Sequence, residues 1–306
     1  MEIQRLTLPP RSGPGDVTTF YSFESASARS VALSTMAVLL AGRQNATVPV
    51  LMIDFDTESP GLHQYFERPG ERPGLLEYFQ ACRDQLRVLG RGHPVRAPRR
   101  AGVDPDGPDD TLLARQVLEA VDWEPFVERV DHSRPLYLMR AGNFDDTYGE
   151  RADQFDWDGL FQLCPALFRC FAEFMAQRFA HVLVDARSGR SAAVSICTTL
   201  LPRRLVTVFT PTQRSLDGLA GVVTRAIEYR CSHEQEQRPL LVYPLPAAID
   251  NADSARRLLW RRGDPHKAVA GYQSVIEQLL RQCYGVSRVS LDSYFDEVQL
   301  PQLHAM

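Results

Sequence analysis

The chain has 306 residues, of which 44% are hydrophobic and 24% are charged, a composition typical of globular proteins with a sizeable core. Its formal net charge of -4 excludes a general electrostatic attraction to nucleic acid, although a local basic patch remains compatible with it. No apolar run approaches the roughly 18 residues of a membrane span, and the polar N-terminus lacks a signal-peptide core. We therefore expect a cytoplasmic protein.

The first elements along the chain alternate between strand and helix. Residues Asp16 to Phe23 are rich in β-branched and aromatic side chains and predict a strand. The segment from Ala28 to Ala41 is apolar on most sides and contains many small residues, which predicts a helix packed closely on a sheet. Residues Val48 to Phe55 predict a continuous apolar strand that ends in acidic residues. Such strands are typical of parallel sheets covered on both faces.

The middle of the chain has a different composition. Residues 91–110 are dense in proline, glycine and charge, and we interpret a stretch of about 91–116 as an exposed insertion. Order resumes at Pro135 to Gly142, which predicts a short strand. The run from Trp157 to Phe179 has helical apolar spacing that is interrupted near Pro165.

The last third of the chain returns to the earlier alternation. Residues His181 to Gly189 repeat the pattern of apolar strand, aspartate and turn. The further predicted elements are a strand at Arg204 to Pro211, a helix at Ser215 to Arg230, a strand at Pro239 to Pro246, and helices at Ala252 to Arg262 and Lys267 to Tyr284. This order predicts a single α/β domain over residues 1–306, built on a doubly wound, mostly parallel sheet flanked by helices.

Residues that can carry chemistry follow three of the predicted strands. In a doubly wound sheet, ligands bind at the carboxyl ends of the strands. The first strand leads through the segment ESASARS (Glu24 to Ser30) into a helix, the second ends at Asp54 and Asp56, and a later one ends at Asp185. A strand, loop and helix followed by acidic strand ends is typical of a P-loop nucleotide site, in which aspartates manage Mg²⁺ and the attacking water.

Two stretches resemble the opening of the bacterial MinD/ParA-type P-loop ATPases, which carry a deviant Walker A motif. They are TFYSFESASARSVALSTMAVLLAG and VLMIDFDTESPGLHQYF. The most similar subgroup has Lys-Gly-Gly-Val-Gly-Arg-Ser in this loop, and four further blocks resemble it in order: LYLMRAGNFDDTYGERADQFDW, HVLVDARSGRS, VTVFTPTQRSLDG and YPLPAAIDNAD. The resemblance runs from about Asp16 to Pro301. It implies a P-loop NTPase fold, and the activity of the family is ATP hydrolysis.

The resemblance also implies roles for individual residues. Arg29 matches the phosphate-contacting cation, Asp56 the acid that positions the attacking water, and Asp185 the Walker B acid. Ser30, Asp54 and Asp185 would be the ligands of Mg²⁺. The other implied nucleotide contacts are Glu24, Ser25, Ala26, Ser27, Ala28, Thr210, Pro211, Pro246 and Asn251. A structural alternative stays open for the acids, because an acid at a strand end is often the cap of a following helix.

The departures from the family pattern lie in the loop that must wrap phosphate. Glu24 stands in the place of the signature lysine, and Ser25, Ala26 and Ala28 replace its three glycines. Glycine allows positive φ angles and lets backbone N–H groups close around phosphate, both of which a Cβ obstructs. A carboxylate in place of a lysine also turns attraction into repulsion. We therefore expect weak triphosphate binding and a collapsed or helical segment from Glu24 to Ala28.

Three functions remain open at this stage. The first is a non-hydrolysing regulatory or scaffold subunit without a cofactor, which forms a homodimer or pairs with an active relative or effector, with Glu24 facing the partner. The second is an ATP-binding protein or weak ATPase, which would use ATP and Mg²⁺ through Arg29, Ser30, Asp56 and Asp185. The third is a positioning protein on DNA or a membrane. A cluster of arginines near Trp260 makes nucleic acid possible without indicating it, and the acidic terminal segment argues against a membrane.

Overall fold

A computed structural model describes residues 6, 8–9, 13–24, 27–43, 47–66, 71–90, 108–233, 239–250, 252–264, 266 and 269–301. Its strands are β1 (Asp16–Ser22), β2 (Val50–Asp54), β3 (Glu128–Asp131), β4 (Leu136–Met139), β5 (His181–Asp185), β6 (Arg204–Phe209), β7 (Leu241–Pro246), β8 (Gly263–Asp264) and β9 (Val269–Ala270). Its helices are α1 (Ser27–Ala41), α2 (Leu75–Gly90), α3 (Pro108–Ala120), α4 (Tyr148–Gln154), α5 (Trp157–Leu163), α6 (Ala166–Ala176), α7 (Ala192–Ser195), α8 (Gln213–His233), α9 (Ser254–Arg262), α10 (Tyr272–Tyr284) and α11 (Asp292–Glu297).

Seven of these strands form one sheet in the order β3-β4-β2-β5-β1-β6-β7. Every neighbouring pair is parallel except β3 and β4, which are antiparallel. The chain moves from β1 outward to β2 and β4, returns to β5, and then crosses β1 to reach β6 and β7. The predicted doubly wound, mostly parallel sheet is thereby confirmed, and β1 and β5 lie where the direction of winding reverses.

Both faces of the centre of the sheet are buried, which explains why the central strand β2 is almost continuously apolar. Alternate side chains of a strand point to opposite faces. In β2, Val50 and Met52 pack in one apolar cluster with helix α1, whereas Leu51 and Ile53 pack in the other with α2, α6 and α8. All four side chains are fully buried.

Helix α1 brings the loop that follows β1 onto the sheet. Ala32, Ala37 and Ala41 lie buried on its sheet-facing side, where their small size allows close approach, and Leu33 fills the space between them. Residue 42 is a glycine whose N–H still bonds to the Val38 carbonyl, and it ends the helix. No helix in the described part of the chain is both long and apolar enough to cross a bilayer.

The structure corrects part of the predicted insertion. Residues 108–116 begin helix α3, and Ala114 is fully buried in the main core. Pro108 explains the outcome, since proline is favoured in the first turn of a helix, where its missing N–H costs nothing. Residues 91–107 lie outside the described residues. A second correction concerns α10, which begins at Tyr272 and not at the predicted Lys267.

Candidate functional site

The carboxyl ends of β1, β2 and β5 meet at one edge of the sheet, and the predicted site residues gather there. Arg29 and Ser30 come from the first turn of α1, the segment after β1. Asp54 ends β2 and is paired in register with Asp185, which ends β5. Together with Asp56 these side chains form one buried group, which we call the Arg29 cluster.

Arg29 is the centre of this cluster. Its side chain is 1% exposed, and each guanidinium nitrogen has a partner. Nη2 donates to Asp56 Oδ2 at 3.0 Å, Nη1 donates to Ser188 Oγ at 3.1 Å, and Nε donates to Asp185 Oδ1. Burial by itself lowers the pKa of Arg29, but the charges of Asp185 and Asp56 outweigh this effect. The pKa of Arg29 therefore lies above its ordinary value. Arg29 is therefore a permanent cation held between two carboxylates.

The second oxygen of each carboxylate is also occupied. Ser30 Oγ donates to Asp185 Oδ2 at 2.6 Å. The backbone N–H of Ser59 donates to Asp56 Oδ1 at 3.1 Å, which ties the loop after β2 to the cluster. Burial raises the pKa of Asp185, while the Arg29 charge and the Ser30 hydroxyl act in the opposite direction. The contact with a guanidinium, which is always charged, favours the ionised carboxylate.

Asp54 faces its own backbone instead of the guanidinium. Its carboxylate accepts the N–H groups of Asp56 at 3.2 Å and of Gly61 and Leu62 at 3.1 Å each. These bonds shape the loop between β2 and the 3₁₀ turn at Leu62–Phe66. Burial, reinforced by the nearby charge of Asp185, raises the pKa of Asp54 to about 8. The geometry gives Asp54 a structural role in this loop, in line with the alternative left open for the acids.

Side chains from the two flanking loops border the Arg29 cluster. Arg187 and Glu58 form an ion pair between the loop after β5 and the loop after β2. Tyr65 is 45% exposed and close enough for the charges of Asp185 and Arg29 to act on its hydroxyl, whose pKa is raised chiefly by burial. The cluster itself is buried, since Arg29, Asp54, Asp56 and Asp185 are each at most 3% exposed.

Glu24 is bound by the neighbouring strand end. Its Oε2 accepts hydrogen bonds from Thr210 Oγ1 at 3.2 Å and from Thr212 Oγ1 at 3.0 Å. The highly exposed Arg214 lies 3.6 Å from the same carboxylate. We expected Glu24 to face a partner, but these contacts engage its carboxylate within the chain. They also join the start of the loop after β1 to the segment between β6 and α8.

The other residues predicted to contact nucleotide lie at the start of α1 and at the ends of β6 and β7, or outside the described residues. Ala28 is half-buried in the first turn of α1, which begins at Ser27. Pro211 follows β6, and Pro246 is buried at the end of the adjoining β7. Ser25, Ala26 and Asn251 lie outside the described residues. The expectation of a collapsed or helical loop therefore concerns residues that the structure describes only in part.

The residues present fit Mg²⁺ and ATP poorly in this arrangement. The hydroxyl and carboxylate expected to bind the metal, those of Ser30 and Asp185, are bonded to each other, and Asp185 also binds Arg29. Within the described residues, no three His, Cys, Asp or Glu side chains are placed to share a metal ion. The guanidinium of Arg29, which the resemblance predicts to contact phosphate, instead binds two carboxylates inside the protein. The carboxylate of Glu24 lies at the position of the signature lysine.

Sequence reasoning did not identify four residues around the site. They are Glu58, Arg187, Ser188 and Arg214. Ser188 stands three residues after Asp185 in the block HVLVDARSGRS, and this proximity to a strand end was the available signal. Glu58 and Arg187 belong to two loops more than a hundred residues apart in sequence, so no local sequence pattern indicates their pairing.

No protein-family model and no curated protein sequence matches the chain. Solved structures do match. A ParA family ATPase from Chlorobium tepidum TLS aligns with a TM-score of 0.50 and 12% identity over 95% of this chain and 86% of that chain. Apo McdA from Cyanothece aligns with a TM-score of 0.54 and 9% identity over 90% of this chain and 83% of that one.

A third structure, an ATP complex of a McdA variant from Cyanothece, aligns with a TM-score of 0.50 and 12% identity over 91% of this chain and 99% of that chain. At identities this low the likeness concerns the fold. The chain has the MinD/ParA-type P-loop ATPase fold, as its sequence blocks predicted.

Proposed function

We propose that this chain is a MinD/ParA-like protein that does not hydrolyse nucleotide and acts as a regulatory or scaffold subunit of a protein complex. The observation that carries the proposal is the Arg29 cluster. The guanidinium expected to contact phosphate instead binds Asp56 and Asp185, the two acids to which water positioning and metal binding would fall. The pairing of Arg29 with Asp56 and Asp185 supports a role other than hydrolysis.

The free energy of this pairing opposes nucleotide binding. If Arg29 turned toward a phosphate, it would leave two buried carboxylates without their partner. Breaking a buried ion pair by removing one partner typically costs about 3–5 kcal/mol. Even the lower figure weakens binding more than a hundredfold, because each 1.4 kcal/mol is roughly a factor of ten.

Glu24 adds to this opposition. A carboxylate about 4 Å from a phosphate charge contributes a repulsion of roughly 1–4 kcal/mol in partly solvated surroundings, where the family's lysine would attract. Its bonds to Thr210 and Thr212 hold it at the edge of the site. The two effects act together, so we expect nucleotide binding at physiological concentrations to be negligible.

The test is calorimetric titration of the protein with Mg-ATP, combined with an assay of phosphate release. We expect no saturable heat at millimolar nucleotide and no release above background. Asp56→Ala and Asp185→Ala proteins are the controls, because a contaminating ATPase does not respond to either change. Turnover in the unaltered protein that disappears in both variants would refute the proposal and support a weak ATPase.

A gain-of-function variant separates the two obstacles. The quadruple variant Glu24→Lys, Ser25→Gly, Ala26→Gly, Ala28→Gly restores the lysine and glycines of the family loop and leaves the Arg29 cluster intact. We expect it to bind Mg-ATP more tightly than the unaltered chain, since it gains backbone donors and loses the repulsion, although the intact Arg29 cluster still weakens binding. If its affinity equals that of the unaltered chain, the Arg29 cluster alone is sufficient to exclude nucleotide.

A further inference from the structure

Arg29 contacts the segments that follow both of the neighbouring strands β2 and β5. On the side of β2, its Nη2 donates to Asp56 Oδ2 at 3.0 Å. On the side of β5, its Nε donates to Asp185, the last residue of the strand, and its Nη1 donates to Ser188 Oγ at 3.1 Å. Because a guanidinium is planar and its N–H groups point in fixed directions, these three contacts fix the position of one loop relative to the other.

The contact with Asp56 continues into the backbone of the loop after β2. Oδ2 of Asp56 faces Arg29, while its Oδ1 accepts the Ser59 N–H at 3.1 Å. The N–H groups of residues 61–62 bond to Asp54 at 3.1 Å each. Backbone groups of this loop are therefore held by two carboxylates of the Arg29 cluster, and their order depends on the charge that Arg29 supplies to it.

A second contact between the same two loops lies outside the cluster. Glu58, which precedes Ser59, forms an ion pair with Arg187, which precedes Ser188. The two side chains are 44% and 34% exposed, and exposed ion pairs contribute little to stability. The buried contacts of Arg29 therefore provide most of the connection between the loops.

The cation that joins the loops belongs to the chain itself. The resemblance assigns Ser30 and Asp185 to Mg²⁺, but in this structure Ser30 donates to Asp185 and the guanidinium of Arg29 supplies the positive charge. The Arg29 side chain is 1% exposed, so salt screens its ion pairs much less than it screens pairs at the surface. Unlike a metal ion or a nucleotide, this cation cannot dissociate.

We propose that Arg29 holds the loops after β2 and β5 in one relative position, so that this edge of the sheet keeps the same conformation with and without nucleotide. The inference rests on the function proposed above, because a chain that bound Mg-ATP here would have to release Arg29 from Asp56 and Asp185. It assigns Arg29 a positioning role and specifies the backbone amides that depend on it.

Hydrogen–deuterium exchange of the full chain, followed by mass spectrometry, tests this role. In Arg29→Ala protein, we expect amides of residues 57–62 and 186–190 to exchange at least about tenfold faster than in the unaltered chain, because both loops lose the group that joins them. Circular dichroism establishes that the variant is folded.

Asp56→Asn is a milder variant that carries the test if Arg29→Ala does not fold. The asparagine oxygen can still accept the Ser59 N–H, but the charge that faces Arg29 is lost. Since Arg29 keeps its contacts with Asp185 and Ser188, we expect faster exchange in residues 57–62 and little change in residues 186–190.

Arg261→Ala is the matched control. The side chain of Arg261 is 11% exposed and donates to Gln273 at 2.8 Å and to Asp296 at 2.6 Å, so it joins α9 to α10 and α11 instead of the two loops. Its loss should speed exchange in these helices without a selective increase in residues 57–62 and 186–190.

The unaltered chain is also measured with about 1 mM Mg-ATP, and we expect its exchange to stay the same. Loop exchange that is unchanged in the folded Arg29 and Asp56 variants, or that rises equally in Arg261→Ala, would overturn the positioning role and leave the proposed function intact. Loop exchange of the unaltered chain that changes with Mg-ATP would overturn both, and the assay of phosphate release would then show whether the bound nucleotide is hydrolysed.

Discussion

At the scale of single residues, Arg29 and Glu24 are both paired within the chain at the sheet edge where the sequence predicts a nucleotide site. Arg29 retains the charge of the family's phosphate-contacting residue but directs it to Asp56 and Asp185. Glu24 reverses the charge at the signature position and is bound by Thr210 and Thr212. The side chains at this edge are therefore bonded to groups of the same chain.

The Arg29 cluster predicts a large effect on stability. Arg29→Met should lower the free energy of unfolding by about 3–5 kcal/mol at pH 7, because it leaves the buried Asp56 and Asp185 without a counter-charge. Urea unfolding followed by circular dichroism measures this change.

The matched comparison is the triple variant Arg29→Met, Asp56→Asn, Asp185→Asn, in which no charge is left unpaired. We expect it to recover a substantial part of the lost stability through non-additive coupling. A loss below about 1 kcal/mol for Arg29→Met would mean that the carboxylates are solvated, in contradiction to their burial.

Asp54 predicts a dependence of stability on pH. Its pKa is raised from the ordinary value of 3.8 to about 8, chiefly by burial. Between these two values the folded chain holds a proton that the unfolded chain has released, so a rise in pH favours unfolding. The contribution of Asp54 to the free energy of unfolding should therefore be fully present below about pH 4 and decline as pH rises toward 8.

Unfolding experiments between about pH 5 and pH 7.5 test this dependence. Asp54→Asn should flatten the decline, whatever its effect on absolute stability. Asp146→Asn, which changes an exposed acid, should leave the decline as it is in the unaltered chain. Parallel pH profiles for the unaltered chain and Asp54→Asn would contradict the shifted pKa.

At the scale of elements, sequence patterns predicted the parts of the fold that bury apolar runs. The strands β1, β2, β5, β6 and β7 lie within two residues of their predicted bounds. The short β3, with the sequence ERVD, was missed because an edge strand of four residues with three charges lacks an apolar signal. The sequence predicts an exposed loop over the first residues of α3, up to about 116, because prolines and acids are dense before and at its start. Local composition gives no indication that Ala114 is buried in the core.

The candidate site was predictable in position but not in conformation. Strand ends indicated that Asp54, Asp56 and Asp185 converge, because neighbouring parallel strands finish at one edge. The inward direction of Arg29 and the engagement of Glu24 depend on side-chain torsions and on residues distant in sequence. The collapsed or helical loop expected from Ser25, Ala26 and Ala28 stays a prediction, because the structure describes the segment from Glu24 to Ala28 only in part.

Packing between β1 and α8 yields a prediction for Gly218. A Cβ on this residue would overlap the ring of Phe23, which directly precedes Glu24. Gly218→Ala should therefore displace Phe23 and lower the free energy of unfolding by about 1–3 kcal/mol, the usual cost of overpacking. Thermal and urea unfolding measure it.

The control is Gly149→Ala in α4, where an added Cβ has nothing within 4 Å. Because alanine favours helix over glycine, this change should be neutral or stabilising by up to about 1 kcal/mol. Equal effects at Gly218 and Gly149 would show that close packing at Phe23 does not constrain the segment.

At the scale of the whole molecule, the chain shares its fold with ATPases, and the sheet edge at which the sequence predicts a nucleotide carries side chains that are paired within the chain. In the family that the sequence resembles, the nucleotide faces form the dimer interface, and ATP neutralises and bridges them. Here Arg29 is buried with Asp56 and Asp185, and Glu24 is bonded to Thr210 and Thr212, so neither needs a nucleotide as its partner. A surface that needs no ligand to become complementary supports assembly that nucleotide does not control.

We therefore predict that this chain assembles, with itself or with a partner, to the same extent with and without Mg-ATP. Ligands shift an equilibrium only by their differential affinity for its two states, and a nucleotide that does not bind contributes none. Light scattering coupled to gel filtration, with and without about 1 mM Mg-ATP, should give the same mass, and the same holds for a complex isolated with its partner.

Glu24→Lys tests the charge: it removes the contacts with Thr210 and Thr212, so a change in mass locates the interface at this edge. A mass that rises only when Mg-ATP is added would contradict nucleotide independence, and a monomer that recruits no partner and is indifferent to Glu24→Lys would remove the case for assembly.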